Sequence, residues 1–266
     1  MCFDHDALPP DLPADLVLPR VGGGAAAETV ELTSGDGTRF SAALALSSQP
    51  QDPAVVILPD IRGLYRFYVE LAERFAAAGH HAVAIDYFGR TAGLADSGER
   101  ENDWDYWDHV RATTPEQIQA DIAAAIDLPR ERGAAGAFAT VGFCFGGAQS
   151  FLAATNPDLP IDAAVGFYGG LNGERLGIPS PKDEAIATRV PVLALFGGAD
   201  EGIPAADRQT FEENLERSGA PHEIVVYPGA PHSFFDRKQE EFAEESEDAW
   251  RRTLGFLSRL GAPARG

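Results

Sequence analysis

The hydrophobic pattern of this chain changes period along its length. Six short runs are apolar almost throughout and bounded by turn residues: AVVILPD (54–60), HAVAIDY (81–87), AFATVGF (137–143), DAAVGFYGG (162–170), VPVLALFGGAD (190–200) and EIVVYPG (223–229). Continuous rather than alternating apolar runs suit parallel strands covered on both faces. Between them the period lengthens. Phe67, Leu71 and Phe75 recur at i, i+4 and i+8, and Ile118, Ile122 and Ile126 repeat that spacing behind Pro115. Both patterns predict helices with one buried stripe. AADRQTFEENLERSG ends at a glycine stop, and FAEESEDAWRRTLGFLSRL predicts a closing helix. Ahead of these elements, ETVELTS and TRFSAALAL flank the turn signal GDG and predict a hairpin. Strands alternating with helices imply an α/β fold, with a mostly parallel central sheet of about eight strands and helices on both faces.

Residues 1–27 read as an irregular arm, residues 28–261 as one domain and residues 262–266 as a tail. The stretch from Gly89 to Thr114, rich in Asp, Glu, Trp and Tyr, reads as a long excursion able to wall a pocket. The chain has 266 residues, 44% of them hydrophobic, which is ample for a large α/β core. Its net charge of -20 repels nucleic acid and anionic membrane, and an anionic substrate would need a local cationic pocket. The expected partner is therefore a small molecule, with the protein a monomer or small homo-oligomer. Two cysteines give no disulfide framework, which suits a reducing cytoplasm. No run of 18 apolar residues predicts a membrane span, and the acidic, proline-rich start lacks the features of a signal peptide. Cys2 lies in that segment and reads as a surface thiol.

The chemistry centres on TVGFCFGGAQSF (140–151). Gly142, Cys144 and Gly146 fit a G-x-nucleophile-x-G elbow between a strand and a helix, with Cys as the nucleophile. The turn is so tight that side chains two residues either side of the nucleophile would strike backbone. The helix start favours thiolate and offers the Phe145 N–H to an oxyanion. An elbow of this kind needs an acid after a later strand and a histidine after the last one. Asp200 and His232 stand at those places. His232 would take the thiol proton, and Asp200 would orient the imidazole. Taken singly, each has a plainer reading: Cys144 as a buried filler, Asp200 as a helix cap, His232 as a turn residue packed by Phe234 and Phe235. No HExxH, CxxC or carboxylate cluster suggests a metal, VGGG near residue 21 is no dinucleotide fingerprint, and no cofactor is expected.

With GFCFGG around Cys144, GGADEGIP around Asp200, PGAPHSFF around His232 and ILPDIRG after the first long strand, the chain resembles the dienelactone hydrolase family of the α/β-hydrolase fold. The resemblance runs from about Glu28 to Leu260, and its specific part is Cys at the elbow. It implies opening of a cyclic enol-lactone to a keto acid. It also implies a carboxylate beside the resting thiol. Here that residue is Asp60, a methylene shorter than the Glu of the most similar dienelactone enzymes. The next residue, Ile61, would give the second oxyanion N–H. The family further uses arginines for a substrate carboxylate. Arg100 matches one of them. Where the other stands, four residues after the histidine, this chain has Asp236 followed by Arg237, and Arg62 is a third candidate. Tyr65, Tyr87, Trp104 and Trp107 are candidates for the pocket wall, although core packing is the commoner role for buried aromatics. Arginines converging above Cys144 would mark a carboxylate-bearing lactone; none would mark a neutral ester.

A thiolate is itself a good leaving group, so its tetrahedral adduct reverts unless the competing leaving group is weakly basic. Enolates and phenolates qualify, whereas alkoxides and amines do not. The expected activity is on enol-lactones and activated esters. The alternatives are a general carboxylesterase or thioesterase with the same triad, or a reactive thiol that senses redox state without turnover.

Overall fold

A computed structural model of the chain describes residues 7–19, 26–95, 100, 104–134 and 136–260; Cys2 and the tail lie outside them. Eight strands form one sheet: β1 (Glu28–Thr33), β2 (Arg39–Ala45), β3 (Ala54–Leu58), β4 (Ala82–Ile85), β5 (Phe138–Phe143), β6 (Ala163–Phe167), β7 (Val192–Gly197) and β8 (His222–Tyr227). Their order is β1-β2-β4-β3-β5-β6-β7-β8. The β1–β2 hairpin pairs antiparallel, β2 meets β4 antiparallel, and β4 to β8 are mutually parallel.

The helices are α1 (Arg66–Ala77), α2 (Gly89–Ala92), α3 (Trp107–Ala112), α4 (Pro115–Glu131), α5 (Phe145–Ala153), α6 (Pro181–Glu184), α7 (Ala205–Ser218) and α8 (Ala243–Ser258). Alternate residues of β3 serve two cores, as the pleat dictates. Val55 and Ile57 join Phe67, Leu71 and Phe75 of α1 and Trp250 and Leu257 of α8. Val56 and Leu58 join Ile118, Ile122 and Ile126 of α4. The i, i+4, i+8 stripes seen in the sequence are thus the buried faces of α1 and α4. A capping box starts α4: the Gln117 N–H donates to Thr114 Oγ1, and the Thr114 N–H donates to Gln117 Oε1.

Two regions differ from the plain pattern. EIVVYPG reads as a buried strand, but β8 is the sheet edge and stays half exposed along most of its length, because no further strand covers it. The excursion after Gly89 is partly helical, in α2 and α3. Residues 7–19 of the arm lie against α1 and α8. Trp250 Nε1 donates to Pro10 O at 3.1 Å, Leu18 N to Ala77 O at 3.0 Å, and Arg251 pairs with Asp15 at 2.8 Å.

Strand register sets up the site. Leu58 aligns with Gly142, Phe143 with Phe167, Phe167 with Leu195, and Gly197 with Tyr227. The carboxyl ends of five parallel strands therefore finish together. The chain runs outward in opposite directions from β3 and β5, and at such a reversal a crevice opens beyond the strand ends.

Candidate active site

Cys144 occupies the turn from β5 into α5 with φ 53° and ψ −111°, a conformation that an L side chain adopts only under constraint. The constraint comes from its glycine neighbours. A Cβ on Gly142 would lie 2.0 Å from Gly146 O, and one on Gly146 would lie 2.1 Å from Leu58 O and 2.3 Å from Pro59 O. All three are backbone atoms and cannot swing aside. The elbow is anchored by the Cys144 N–H, which donates to Phe167 O at 3.0 Å, and the Ala148 N–H closes on Cys144 O at 3.1 Å. The sulfur-bearing residue is half buried, at the first turn of α5, where N–H groups lack intrahelical acceptors.

Asp200 follows β7 and His232 follows β8, and the two meet. His232 Nδ1 lies 2.6 Å from Asp200 Oδ2. The Asp200 side chain is 4% exposed and that of His232 27%, so a buried carboxylate holds a partly exposed imidazole. The other Asp200 oxygen accepts the Gly202 N–H at 2.9 Å, which fixes the carboxylate plane. With Nδ1 committed to Asp200, only Nε2 can engage a group on the far side of the ring. Tyr168, at the end of β6, packs its ring 5.0 Å from that of His232 and holds φ 38°. Nothing in the sequence marks this strain except the glycines that follow in FYGG.

The loop after β3 is pinned from several sides. Tyr68 Oη accepts the Asp60 N–H at 2.9 Å, and Tyr87 Oη donates to Asp60 O at 2.9 Å and also to Pro59 O. Trp104 Nε1 donates to Arg62 O at 3.1 Å. These bonds fix the two peptides before Ile61 and the carbonyl of the residue after it. Tyr87 is fully buried, with its hydroxyl on this backbone. Burial, and then the neighbouring Asp60 and Cys144 charges, push its pKa well above the usual phenol value, so it stays a donor. Trp104 is half buried, 4.9 Å from the His109 ring.

Two of the three candidate arginines are engaged by carboxylates. The Arg62 guanidinium reaches Asp60 at 2.5 Å and Asp236 at 3.1 Å, and all three side chains are 1–2% exposed. Asp60 also accepts the Arg62 backbone N–H at 2.8 Å, and Arg62 stacks 4.1 Å over the Tyr65 ring and bonds its hydroxyl. Burial alone would lower the arginine's pKa. Asp60 first, then Tyr65 and Asp236, raise it beyond its ordinary range, so the cation is permanent. Arg100 pairs with the buried Asp86 at 2.6 Å, donates to Gly93 O at 2.6 Å and lies 4.9 Å over Trp104. Asp86 sits where a Cβ on Gly63 would be, 2.7 Å away, so this pair buttresses the Ile61 loop from behind. Arg237 is half buried, and its Nε has no hydrogen-bond partner among the described residues. Asp86 was readable in principle, as an acid closing an apolar strand. The pairing of Arg62 with Asp236 was not, since 174 residues separate them. Among the described residues no cluster of His, Cys, Asp and Glu could hold a metal, and no helix is long and apolar enough to cross a membrane.

An eight-stranded, mostly parallel sheet whose fifth strand ends in a glycine-flanked elbow is the α/β-hydrolase architecture. The family model described as the dienelactone hydrolase family matches residues 40–261. The chain belongs to that family and is a hydrolase of its type. It is 34% identical over 218 residues to a Yersinia pestis protein provisionally named carboxymethylenebutenolidase, covering 80% of each chain. It is 32% identical over 216 residues to an Escherichia coli K12 protein with the same provisional name, covering 79% of this chain and 78% of the other. A crystal structure of a provisionally named dienelactone hydrolase from Klebsiella pneumoniae superposes with a TM-score of 0.73 at 29% identity, over 88% of this chain and all of that one. The fold alone extends further, to a puromycin-hydrolysing peptidase of Mycobacterium tuberculosis with a TM-score of 0.71 at 19% identity, over 94% of this chain and 42% of that one.

Proposed function

We propose that this hydrolase cleaves enol-lactones or activated esters through Cys144, His232 and Asp200, by way of a thioester. The observation that carries the reading is the 2.6 Å contact of His232 with a buried Asp200, at the carboxyl edge of the sheet where the β5–α5 elbow holds a cysteine in strained φ. A redox-sensing thiol needs no such acid–histidine pair. The names of the relatives point to the same type of bond, the ester of a lactone.

In the first step the Cys144 thiol gives its proton to His232, and Sγ bonds to the acyl carbon. The carbonyl oxygen gains charge and is met by the backbone N–H groups of Phe145 and Ile61. Tyr68, Tyr87 and Trp104, which pin the peptides around Ile61, keep that donor in place. The acyl C–O bond then breaks. The enolate or phenolate departs with the proton, and an enol product tautomerises to its ketone. Water, losing a proton to His232, attacks the thioester, the C–S bond breaks and the thiol is regenerated. One acyl bond is hydrolysed and the enzyme returns unchanged. The reaction suits the cytoplasm, where Cys144 stays reduced.

The test is turnover of p-nitrophenyl acetate by the parent enzyme, Cys144→Ala and His232→Ala. Loss of at least about a thousandfold in both variants is expected. Parent-like rates in either would refute the triad. Ethyl acetate should be a far poorer substrate than the p-nitrophenyl ester, and equal rates would remove the leaving-group argument.

A further inference from the structure

We infer that the acyl substrate of this site is electrically neutral, because Arg62 and Arg100, two of the three candidate cations, are already engaged by carboxylates. The inference rests on the hydrolase reading above and goes beyond it to substrate charge.

Arg62 is the side chain that ties the Ile61 loop to the histidine loop. On one side it is chelated by Asp60, the residue before Ile61; on the other it meets Asp236. Asp236 sits in the turn that follows His232, its N–H donating to Ser233 O at 3.1 Å. Two carboxylates on one guanidinium leave an excess negative charge, and the cluster is 1–2% exposed, so water does little to damp it. Arg62 cannot turn outward to meet an anion without stranding Asp60 and Asp236 as buried, uncompensated charges, a change that breaking buried pairs makes costly. Arg100 is held in the same manner by Asp86. Asp200 adds its own negative charge behind His232. An acyl group bearing a carboxylate would therefore enter a crevice of negative potential, within a chain whose net charge is -20. A neutral lactone or ester meets no such opposition.

The experiment compares two substrates of one shape: mono-p-nitrophenyl adipate, which carries a free carboxylate, and its methyl ester, which does not. At low ionic strength the methyl ester should show the higher kcat/KM by about tenfold, and added salt should narrow the gap by raising the rate on the anion. Asp236→Asn removes the excess charge and should shift the ratio toward the anion by about threefold or more. The parent comparison and its salt dependence stand even if that variant folds poorly. Faster hydrolysis of the anion, or equal rates at low salt, would overturn the inference while leaving the hydrolase reading intact. If Arg237→Ala then abolished a preference for the anion, Arg237 would be the cation responsible. Failure to hydrolyse either ester, or an undiminished rate in Cys144→Ala, would instead defeat the hydrolase reading, and this inference with it.

Discussion

His232 Nδ1 stands 2.6 Å from Asp200 Oδ2, joining the loop after the last strand to the loop after the one before it. With an ionised Asp200 accepting, the hydrogen of this contact sits on Nδ1. Asp200→Asn leaves the shape nearly unchanged but offers an amide N–H that favours the wrong tautomer. The expected result is a fall in kcat of roughly a hundredfold to ten-thousandfold with a native circular dichroism spectrum, measured on p-nitrophenyl acetate. A fall of less than threefold would mean that the acid does not serve the histidine.

Gly146 lies against the end of β3, where an added Cβ would meet Leu58 O and Pro59 O well inside van der Waals contact. Backbone has nowhere to move here without opening the β3–β5 ladder. Gly146→Ala should therefore lower stability by about 3 kcal/mol or more, or yield insoluble protein. Urea denaturation of any soluble fraction checks this, and a midpoint unchanged from the parent would show that the elbow tolerates a side chain.

Tyr87 offers a subtler case. Its hydroxyl bonds two successive carbonyls, Pro59 O and Asp60 O, immediately before the Ile61 N–H. Tyr87→Phe keeps the ring and removes the donor. About 1 kcal/mol of stability should go with it. More diagnostic is the kinetic signature: kcat lower by about tenfold with KM within about twofold, since the looser peptide affects the oxyanion more than substrate binding. A change in KM alone would place Tyr87 in substrate binding instead.

Stability should fall on mild acidification. His80 and His81 are buried, and burial lowers both pKa values below the usual 6.5. His81 Nδ1 accepts the Ser47 N–H at 3.0 Å and cannot do so once protonated. A depressed folded value means the unfolded chain takes up more protons as the pH drops. The contribution is therefore complete above 6.5 and is lost as the pH falls through the folded value. The melting temperature should be lower at about pH 5.5 than at about pH 7.5. His81→Asn supplies an acceptor that does not titrate, and the drop should shrink. An equal drop in the variant would place the acid sensitivity elsewhere.

Much of the fold was legible because these strands are apolar at nearly every position and the helices carry clean stripes. Phe67, Leu71 and Phe75, and Ile118, Ile122 and Ile126, announced which face each helix would bury. The elbow was legible for a steric reason, since Gly142 and Gly146 flank Cys144 at the two places where a side chain collides. Asp200 and His232 could be placed because each follows a strand, and parallel strands bring their carboxyl ends together. What the pattern could not convey is pairing across space. Arg62, Asp60 and Asp236 read as three separate charges, and no periodicity links positions 62 and 236. Arg100 likewise read as facing a substrate, while its partner Asp86 stands just past the end of an apolar strand. Tyr87 read as a pocket wall, and its hydroxyl turned out to serve the backbone. The positive φ of Tyr168 does not follow from its own residue type.

The central claim is that Cys144 carries the acyl group. Rapid mixing with p-nitrophenyl acetate, acid quenching within the first turnover and peptide mass spectrometry test it directly. The account predicts one acetyl group on the peptide containing Cys144, removed by hydroxylamine and absent from Cys144→Ala, with p-nitrophenol released in a matching burst. Acetylation at another residue, or steady turnover by Cys144→Ala at the parent rate, would contradict it.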